Sequence, residues 1–525
     1  MKKDKPVWKK LVITAAVAFV LGLVPYFVLV VRVGTEGLSL LQYTYDVSSW
    51  TWGLAVRYAP HIMTLYVLSV AVLIFLEGKN PDRTVLWLLT LALLPGVGVI
   101  LYLLLGPDMK RIQTRKLFKP SKSYPTIVTP RDRCTPPEVK KISILAFRNS
   151  AAEIMERGEV RVLVDGVETF SAIKQALSSA KRFINIEYFI FQDDRLGNEI
   201  ADILCERAMS GVKVRMITDG VGTKKFGRNL IHKLKHAGVD YNTFMPVSFP
   251  VLRSGINFRN HRKIVVVDGD VAFTGGLNVG VEYLGEGHLG NWRDTHALFR
   301  GEPVYALNAI FLQDWKIAAE EELSPDLELF SPTHPNECEK YPFLPIQIVA
   351  SGGSASPWHS IEQMYFTMIS QAKYRIWITT PYLVPDGSIM QALQIAALSG
   401  IDVRILIPAV PDHFLVSWAG KSNIEDLLRA GVRIWMYEDG FVHAKTLLMD
   451  DIISSVGTAN LDNRSLAINF EVQAFIYSRE TAKIFERDFL LDLEKSRECI
   501  LSEWEKRSVR SKILESLGRL WSSQI

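Results

Sequence analysis

The chain reads as an α/β protein of two pseudo-symmetric α/β/α sandwich domains that share one active site, preceded by an N-terminal α-helical transmembrane region. Three observations lead there: a motif H-x-K-x4-D-x6-G-(G/T)-x-N that occurs twice, a strand, helix, strand phrase that occurs twice ahead of it, and an apolar first hundred residues unlike the rest. The first copy of the motif is His261, Lys263, Asp268, Gly275, Gly276 and Asn278 in HRKIVVVDGDVAFTGGLN. The second is His443, Lys445, Asp450, Gly457, Thr458 and Asn460 in HAKTLLMDDIISSVGTAN. Residue type, spacing and hydrophobic filler all recur, which points to duplication rather than coincidence.

The 525 residues and 48% hydrophobic content suffice for about two to four packed domains and exclude disorder as the main state. A net charge of +4 is small, but basic residues cluster at Lys110, Arg111, Arg115, Lys116, Lys119 and Lys122 and again in the C-terminal tail. Such clusters suit an anionic membrane surface. Cys134, Cys205, Cys338 and Cys499 lie far apart, with neither metal-ligand nor disulfide spacing, and are expected to stay reduced.

In the N-terminal region, Leu11 to Val31 and Val85 to Leu105 are uncharged apolar runs long enough to cross a bilayer, with a shorter run, Ile62 to Leu76, between them. Lysines precede the first run as they would a signal peptide, but its length and the later runs favour an anchor. The Lys-rich start and the basic stretch after Leu105 both ask to face the cytoplasm, and three crossings would separate them. Two resolutions stay open: a re-entrant hairpin at Pro95, Gly96 and Gly98, or a middle run lying in the interface. The expected organisation is residues 1–109 membrane region, 110–150 basic linker, 151–335 first domain, 336–500 second domain and 501–525 amphipathic tail. The expected location is a cell membrane, multi-pass, with the later domains cytoplasmic.

The repeated phrase predicts the sheet. FINIEYFIF, from Phe183 to Phe191, has the aromatic and β-branched content of a strand; NEIADILCERAMSG follows as a helix and VKVRMITD as a second strand. YRIWITTPYLV, SIMQALQIAALSG and IDVRILIP repeat it, with Ser210-Gly211 matching Ser399-Gly400 at the helix ends. Strand, helix, strand implies parallel neighbours. Two such units, packed together, would each deliver one histidine to a shared cleft.

His261 and Lys263 stand two apart before the strand Ile264 to Val267, so both side chains point to one face, as do His443 and Lys445. The chain then turns at Asp268-Gly269, or Asp450-Asp451, and returns to a strand whose small residues let an anion approach, while the Asn278 and Asn460 amides donate to it. Attack on a phosphodiester needs a nucleophile, a proton source for the leaving alkoxide and donors around the oxygens. One neutral histidine can attack while the other, protonated, acts as general acid, and two lysines and two asparagines hold the charge without a metal or other cofactor. The pattern is that of a two-histidine phosphodiester transferase. A lone histidine beside a strand is more often structural; repetition reverses that expectation. Asp268 and Asp450 are grouped with the motif's catalytic residues, but for both the turn role is the better reading, since Asp suits such a turn.

With these residues in hand, the chain resembles the phospholipase D superfamily and, within it, the bacterial cardiolipin synthase family. The blocks NHRKIVVVDG, GGLNVGVEYLG, NWRDTH, GFVHAKTLLMDD, SVGTANLDNRS and NFEVQAFIY carry the likeness, together with NPDRTVLWLLTLALLPGVGVILYLLLG. It spans nearly everything from Asn80 to about Ile500, departing at Thr458, where serine is usual, and in the extra apolar run from Leu11 to Val31. The resemblance implies phospholipase D-type domains and a reaction in which two phosphatidylglycerol molecules give cardiolipin and glycerol through a phosphatidyl-histidine. In it His261 attacks and His443 protonates departing glycerol, then deprotonates the second lipid's hydroxyl. It also implies an acid downstream of each motif that orients its histidine, at positions matching Asp294 and Glu471.

The partners implied are phosphatidylglycerol and cardiolipin in an anionic membrane, with no nucleic acid, and a homo-oligomer is compatible. Phe249, Arg253, Phe258, Arg259 and Arg262 are candidates to meet lipid headgroups, or form an ordinary loop. The tail, with Leu501, Trp504, Ile513, Leu517, Leu520 and Trp521 among Lys506, Arg507, Arg510, Lys512 and Arg519, either lies on the membrane surface or packs on the catalytic domain. Competing functions are a hydrolase that releases phosphatidic acid, a nuclease, which would need an extended basic groove, and a non-enzymatic scaffold.

Overall fold

The computed structural model describes residues 81–94 and 137–521, apart from 224–225, 247–257, 322, 324–339 and 353–357, and scattered positions between 57 and 102. The apolar run from Leu11 to Val31, the basic stretch from Lys110 to Lys122, Phe249, Arg253, Cys134 and Cys338 lie outside the described residues. Two compact units divide the chain, Met1–Tyr102 and Leu103–Ile525.

In the first unit the 13-residue helix Pro81–Leu93 forms from leucines, a tryptophan and few β-branched residues, and stops just before Pro95, which lacks the amide hydrogen to continue it. At ~1.5 Å per residue it is about 20 Å long, against about 30 Å of hydrocarbon. The chain then doubles back. The rings of Trp87 and Tyr102 meet edge to face at 5.3 Å, a separation that a straight helix would stretch beyond ~20 Å. Among the described residues no helix is long and apolar enough to cross a membrane.

The second unit opens with α1 (Lys140–Ser150) and β1 (Met155–Val164), then α2 (Asp165–Ser178), β2 (Phe183–Tyr188), α3 (Arg195–Met209), β3 (Lys213–Asp219), α4 (Arg228–His236) and β4 (Asp240–Phe244). The first motif occupies the hairpin β5 (Ile264–Val267) and β6 (Val271–Gly275), followed by β7 (Trp292–Arg293), β8 (Thr295–Gly301) and α5 (Pro303–Ala319). The second half repeats the plan: β9 (Phe343–Ser351), α6 (Ser360–Gln371), β10 (Arg375–Thr379), β11 (Leu383–Val384), α7 (Gly387–Leu398), β12 (Asp402–Pro408), α8 (Phe414–Arg429), β13 (Arg433–Tyr437) and β14 (Phe441–Val442). It ends with β15 (Thr446–Met449), β16 (Ile453–Gly457), β17 (Leu461–Asp462), β18 (Glu471–Tyr477), α9 (Arg479–Glu494), β19 (Ser496–Glu498) and α10 (Val509–Trp521).

Fifteen strands make one sheet in the order β19-β13-β12-β10-β15-β16-β18-β9-β1-β8-β6-β5-β2-β3-β4. Read outward from the β9-β1 junction the two sides match strand for strand, with β19 added at one edge. The halves therefore join edge to edge through a single sheet, where the sequence suggested two separately closed sandwiches packed together. β2, β3 and β4 run parallel, as do β10, β12 and β13, as the repeated phrase requires. Gly211 and Gly400, both with φ near +90°, close the matched helices α3 and α7.

Alternation along β2 shows how the layers form. Ile184, Ile186 and Tyr188 enter the core beneath α3 and α4, while Phe183 joins a core shared by both halves under α5 and α9, through Phe311, Trp315, Phe485 and Phe489. The linker boundary shifts relative to expectation, and the tail takes the packed one of its two expected places. α1, placed in the linker, buries Ile142 and Ala146 in the core of the second half. The tail helix α10 lies antiparallel on α8: a Cβ on Gly518 would stand 2.6 Å from the Ala419 nitrogen, and Arg507 reaches Glu425 at 2.6 Å. Its other face leaves Val509, Ile513, Leu517 and Leu520 at least half exposed.

Candidate active site

Both motif histidines enter the same place because each loop is stitched to the opposite half. The His261 amide donates to the Phe470 carbonyl at 2.9 Å and the Phe470 amide to the Arg259 carbonyl at 2.9 Å. Symmetrically, β14 pairs in parallel with β7, and the His443 amide donates to the Arg293 carbonyl at 2.7 Å. Those partner segments carry the acids. His261 Nδ1 lies 3.0 Å from Glu471 Oε2, and His443 Nδ1 lies 2.8 Å from Asp294 Oδ2. The acids are thus exchanged: each half orients the histidine of the other, not its own as the order along the chain suggests. In both pairs the ring donates its Nδ1 hydrogen to the carboxylate, which leaves Nε2 as the free position.

The lysines lie under their own loops. Lys263 Nζ donates to the His261 carbonyl at 2.6 Å, and Lys445 donates to the His443 carbonyl. Both are buried, and Lys445 is close enough to act electrostatically on Lys263, so the two motifs converge on one cationic floor. Burial pulls Lys263 down to about 7, against the attraction of Glu471, and Lys445 down to about 8, against Asp294. Burial likewise holds His261 below its usual value, opposed by Glu471, and holds His443 well below, with Lys445 adding to the shift. Asp294 is raised by burial to about 6. Glu471 falls below the ordinary range although it is buried, because His261 and Lys263 beside it and the His261 and Thr458 hydrogen bonds outweigh desolvation.

The remaining motif positions are structural to different degrees. Asp268 and Asp450, grouped with the catalytic set, sit a strand away from the histidines. Asp268 takes a left-handed conformation at φ 56° and accepts from the amides of Lys181, Arg182 and Phe183 at 2.7 to 2.9 Å. Asp450, at φ 54°, does the same for Lys373, Tyr374 and Arg375 at 2.8 to 3.2 Å. They terminate the hairpin and fasten it to the start of the neighbouring strand, a correction in favour of the turn reading. Asn278 Oδ1 accepts from the Ile190 amide and its Nδ2 donates to Tyr283, both at 3.1 Å. Asn460 is buried beside Asp462, with its Oδ1 lacking a hydrogen-bond partner among the described residues.

The small residues after the motifs answer first to the acids. A Cβ on Gly276 would lie 2.1 Å from Asp294 Oδ1, so glycine is what admits the carboxylate that orients His443. Thr458, its counterpart, donates its hydroxyl to Glu471 Oε2 at 2.6 Å. Gly276→Ala is therefore expected to lower activity by at least about tenfold through displacement of Asp294, whereas Gly387→Ala, with open space around it, is expected to change nothing. Initial rates and thermal melts of the two variants check this.

Arg262 was missed as a site component. It is buried, not surface-exposed for headgroups; its guanidinium bonds Asp314 at 2.5 Å, the Glu471 carbonyl at 3.1 Å and the Ser351 carbonyl at 2.8 Å, which pins the strand that presents Glu471. Phe258 and Arg259 are buried as well. The signal was present: if His261 and Lys263 share one face, Arg262 between them must face the other.

Two repeated α/β halves that converge paired histidines, each backed by a carboxylate and set over a lysine, define a phospholipase D-like phosphodiester enzyme. Residues 173–315 and 365–493 match the family described as cardiolipin synthase, PLD-like domain, and residues 64–107 the one described as phospholipase D-nuclease N-terminal. The chain is 41% identical over 472 residues to cardiolipin synthase 2 of Bacillus anthracis, covering 87% of this chain and 90% of that one. It is 41% identical over 471 residues to cardiolipin synthase of Halalkalibacterium halodurans, covering 88% and 92%. A crystal structure of phosphatidylserine synthase from Haemophilus influenzae superposes with a TM-score of 0.56 at 13% identity, over 73% of this chain and 100% of that one, a likeness of fold alone. The chain belongs to the cardiolipin synthase family of phospholipase D-like proteins.

Proposed function

We propose that this protein is a phosphatidyltransferase that joins two phosphatidylglycerol molecules into cardiolipin and releases glycerol. The exchanged pairing of His261 with Glu471 and of His443 with Asp294 carries the chemistry, and relatives named cardiolipin synthase, at 38 to 41% identity, carry the substrate. His261 Nε2 attacks the first lipid's phosphorus, and the P–O bond to glycerol breaks as His443 gives its proton to the departing oxygen. Positive charge then builds on the His261 ring, beside a carboxylate already held anionic by Thr458, Asn469 and His261 itself. That counter-charge favours His261 as the nucleophile. His443, held well below the usual imidazole value, is a strong acid once protonated and a neutral base for the second step.

Transfer to a lipid hydroxyl in preference to water is consistent with burial. The side chains of His261 and His443 are only 12% and 8% exposed, so little water reaches the phosphorus, while a membrane supplies acceptor at high local concentration. The membrane setting rests on the apolar N-terminal runs and on the outward stripe of α10, where Arg510, Lys512 and Arg519 flank the apolar residues.

Incubation of the purified full chain with phosphatidylglycerol vesicles is expected to give cardiolipin and glycerol in equal amounts by mass spectrometry; phosphatidic acid as the main product would contradict the transferase reading. The pH profile is a second check. Because Lys263 and Lys445 lose their protons near 7 and 8, anion binding weakens as pH rises, and kcat/KM is expected to fall through that window. On the acid side the limb is expected near 6, where Asp294 becomes neutral and releases His443.

A further inference from the structure

In the second half lies an open cleft with ≈ 30 Å³ of space, whose walls include Tyr382, Leu383, Asp412, His413, Ser417 and Lys421. Strand register ties one wall of it to the second motif. β11 pairs in parallel with β17, Leu383 opposite Leu461, so Tyr382 precedes its strand as Asn460 precedes the other. The Asp412 carboxylate is near enough to act on both His443 and Lys445. Its Oδ2 accepts the Tyr382 hydroxyl at 2.5 Å, and its Oδ1 is buried with no hydrogen-bond partner among the described residues. An orphaned carboxylate oxygen is costly to bury and wants a donor. An ammonium donor is disfavoured by Lys421 in the same wall, whereas a neutral polyol fits both an acceptor and a cation.

We infer that this cleft is the polyol subsite, where Asp412 and Tyr382 hold the glyceryl headgroup that leaves in the first step and the one that attacks in the second. The inference rests on the transferase reading above. Leaving group and acceptor occupy the same apical position opposite His261, so one subsite serves both by microscopic reversibility. In the second step the acceptor's primary hydroxyl gives its proton to His443, its oxygen forms the new P–O bond, and the P–N bond to His261 breaks with its electron pair returning to the ring. Asp412 binds the adjacent secondary hydroxyl, a group that ethanol lacks.

The test uses the full chain in vesicles with phosphatidyl-p-nitrophenol as donor, whose first step needs no polyol, and equal concentrations of glycerol and ethanol as competing acceptors. The ratio of phosphatidylglycerol to phosphatidylethanol is read by mass spectrometry, so a change in His443 basicity cancels. D412N is expected to lower the ratio at least about tenfold, the size of a lost hydrogen bond to a charged group. Tyr382→Phe is expected to lower it about threefold and reads the subsite even if D412N fails to fold. Ratios within about twofold of the parent in Tyr382→Phe and in any folded D412N, with transfer to glycerol intact, would overturn the subsite alone, as would a parental preference for ethanolamine over glycerol. A parent that transfers to no alcohol would overturn the transferase reading and the subsite with it.

Discussion

With alanine at position 443, release of glycerol from phosphatidylglycerol is expected to fall by about 10²- to 10⁴-fold, the range ascribed to a general acid. Release of p-nitrophenol from the corresponding phosphatidyl ester is expected to stay within about tenfold of the parent, because a phenolate departs without a proton. The covalent adduct should then accumulate, since no base remains to activate the acceptor. Alanine at position 261 removes the attacking nitrogen itself, so both donors are expected to lose more than about 10⁴-fold, with no adduct. Stopped-flow release of nitrophenol from the two variants separates these outcomes, and the reverse pattern would exchange the roles of His261 and His443.

The exchange of acids across the halves gives the second large expected effect. Glu471→Gln removes the counter-charge for the cation that forms on His261, so it is expected to slow adduct formation from every donor by about 10²- to 10⁴-fold, the scale of losing a carboxylate behind a catalytic imidazole. Asp294→Asn disturbs His443 instead and is expected to spare the nitrophenyl donor while crippling phosphatidylglycerol cleavage. If each acid served the histidine of its own half, the two signatures would be interchanged. Burst kinetics with the two donors decide it, because position along the chain and position in space make opposite forecasts.

Much of the arrangement was legible because duplication is a strong local signal. The paired motif, the strand, helix, strand phrase and the caps at Gly211 and Gly400 all obey short-range rules, and the sheet follows them. What escaped depends on contacts between residues far apart in sequence. Glu471 and Asp294 look alike in their own blocks, and only the parallel pairing of β14 with β7, and of the Asn260 and Phe470 segments, delivers each to the other half. The same holds for α1: KKISILAF follows a basic stretch and carries three lysine or phenylalanine positions of mixed meaning, yet its Ile142 and Ala146 complete the core of the second half. Asp268 and Asp450 are the converse case. A motif records recurrence without saying whether chemistry or a hairpin end demands it, and three backbone amides apiece place these two with the hairpin. Asp412 lies in a loop outside either motif, with nothing nearby in sequence to mark it.

The most direct measurement is acid-quenched trapping of the full chain with phosphatidylglycerol labelled in its phosphate, followed by peptide mapping. The expected result is a phosphatidyl group on the peptide that carries His261, chased into cardiolipin by unlabelled phosphatidylglycerol and more abundant in His443→Ala. Label on the His443 peptide, or cardiolipin formed with no adduct on either histidine, would contradict it.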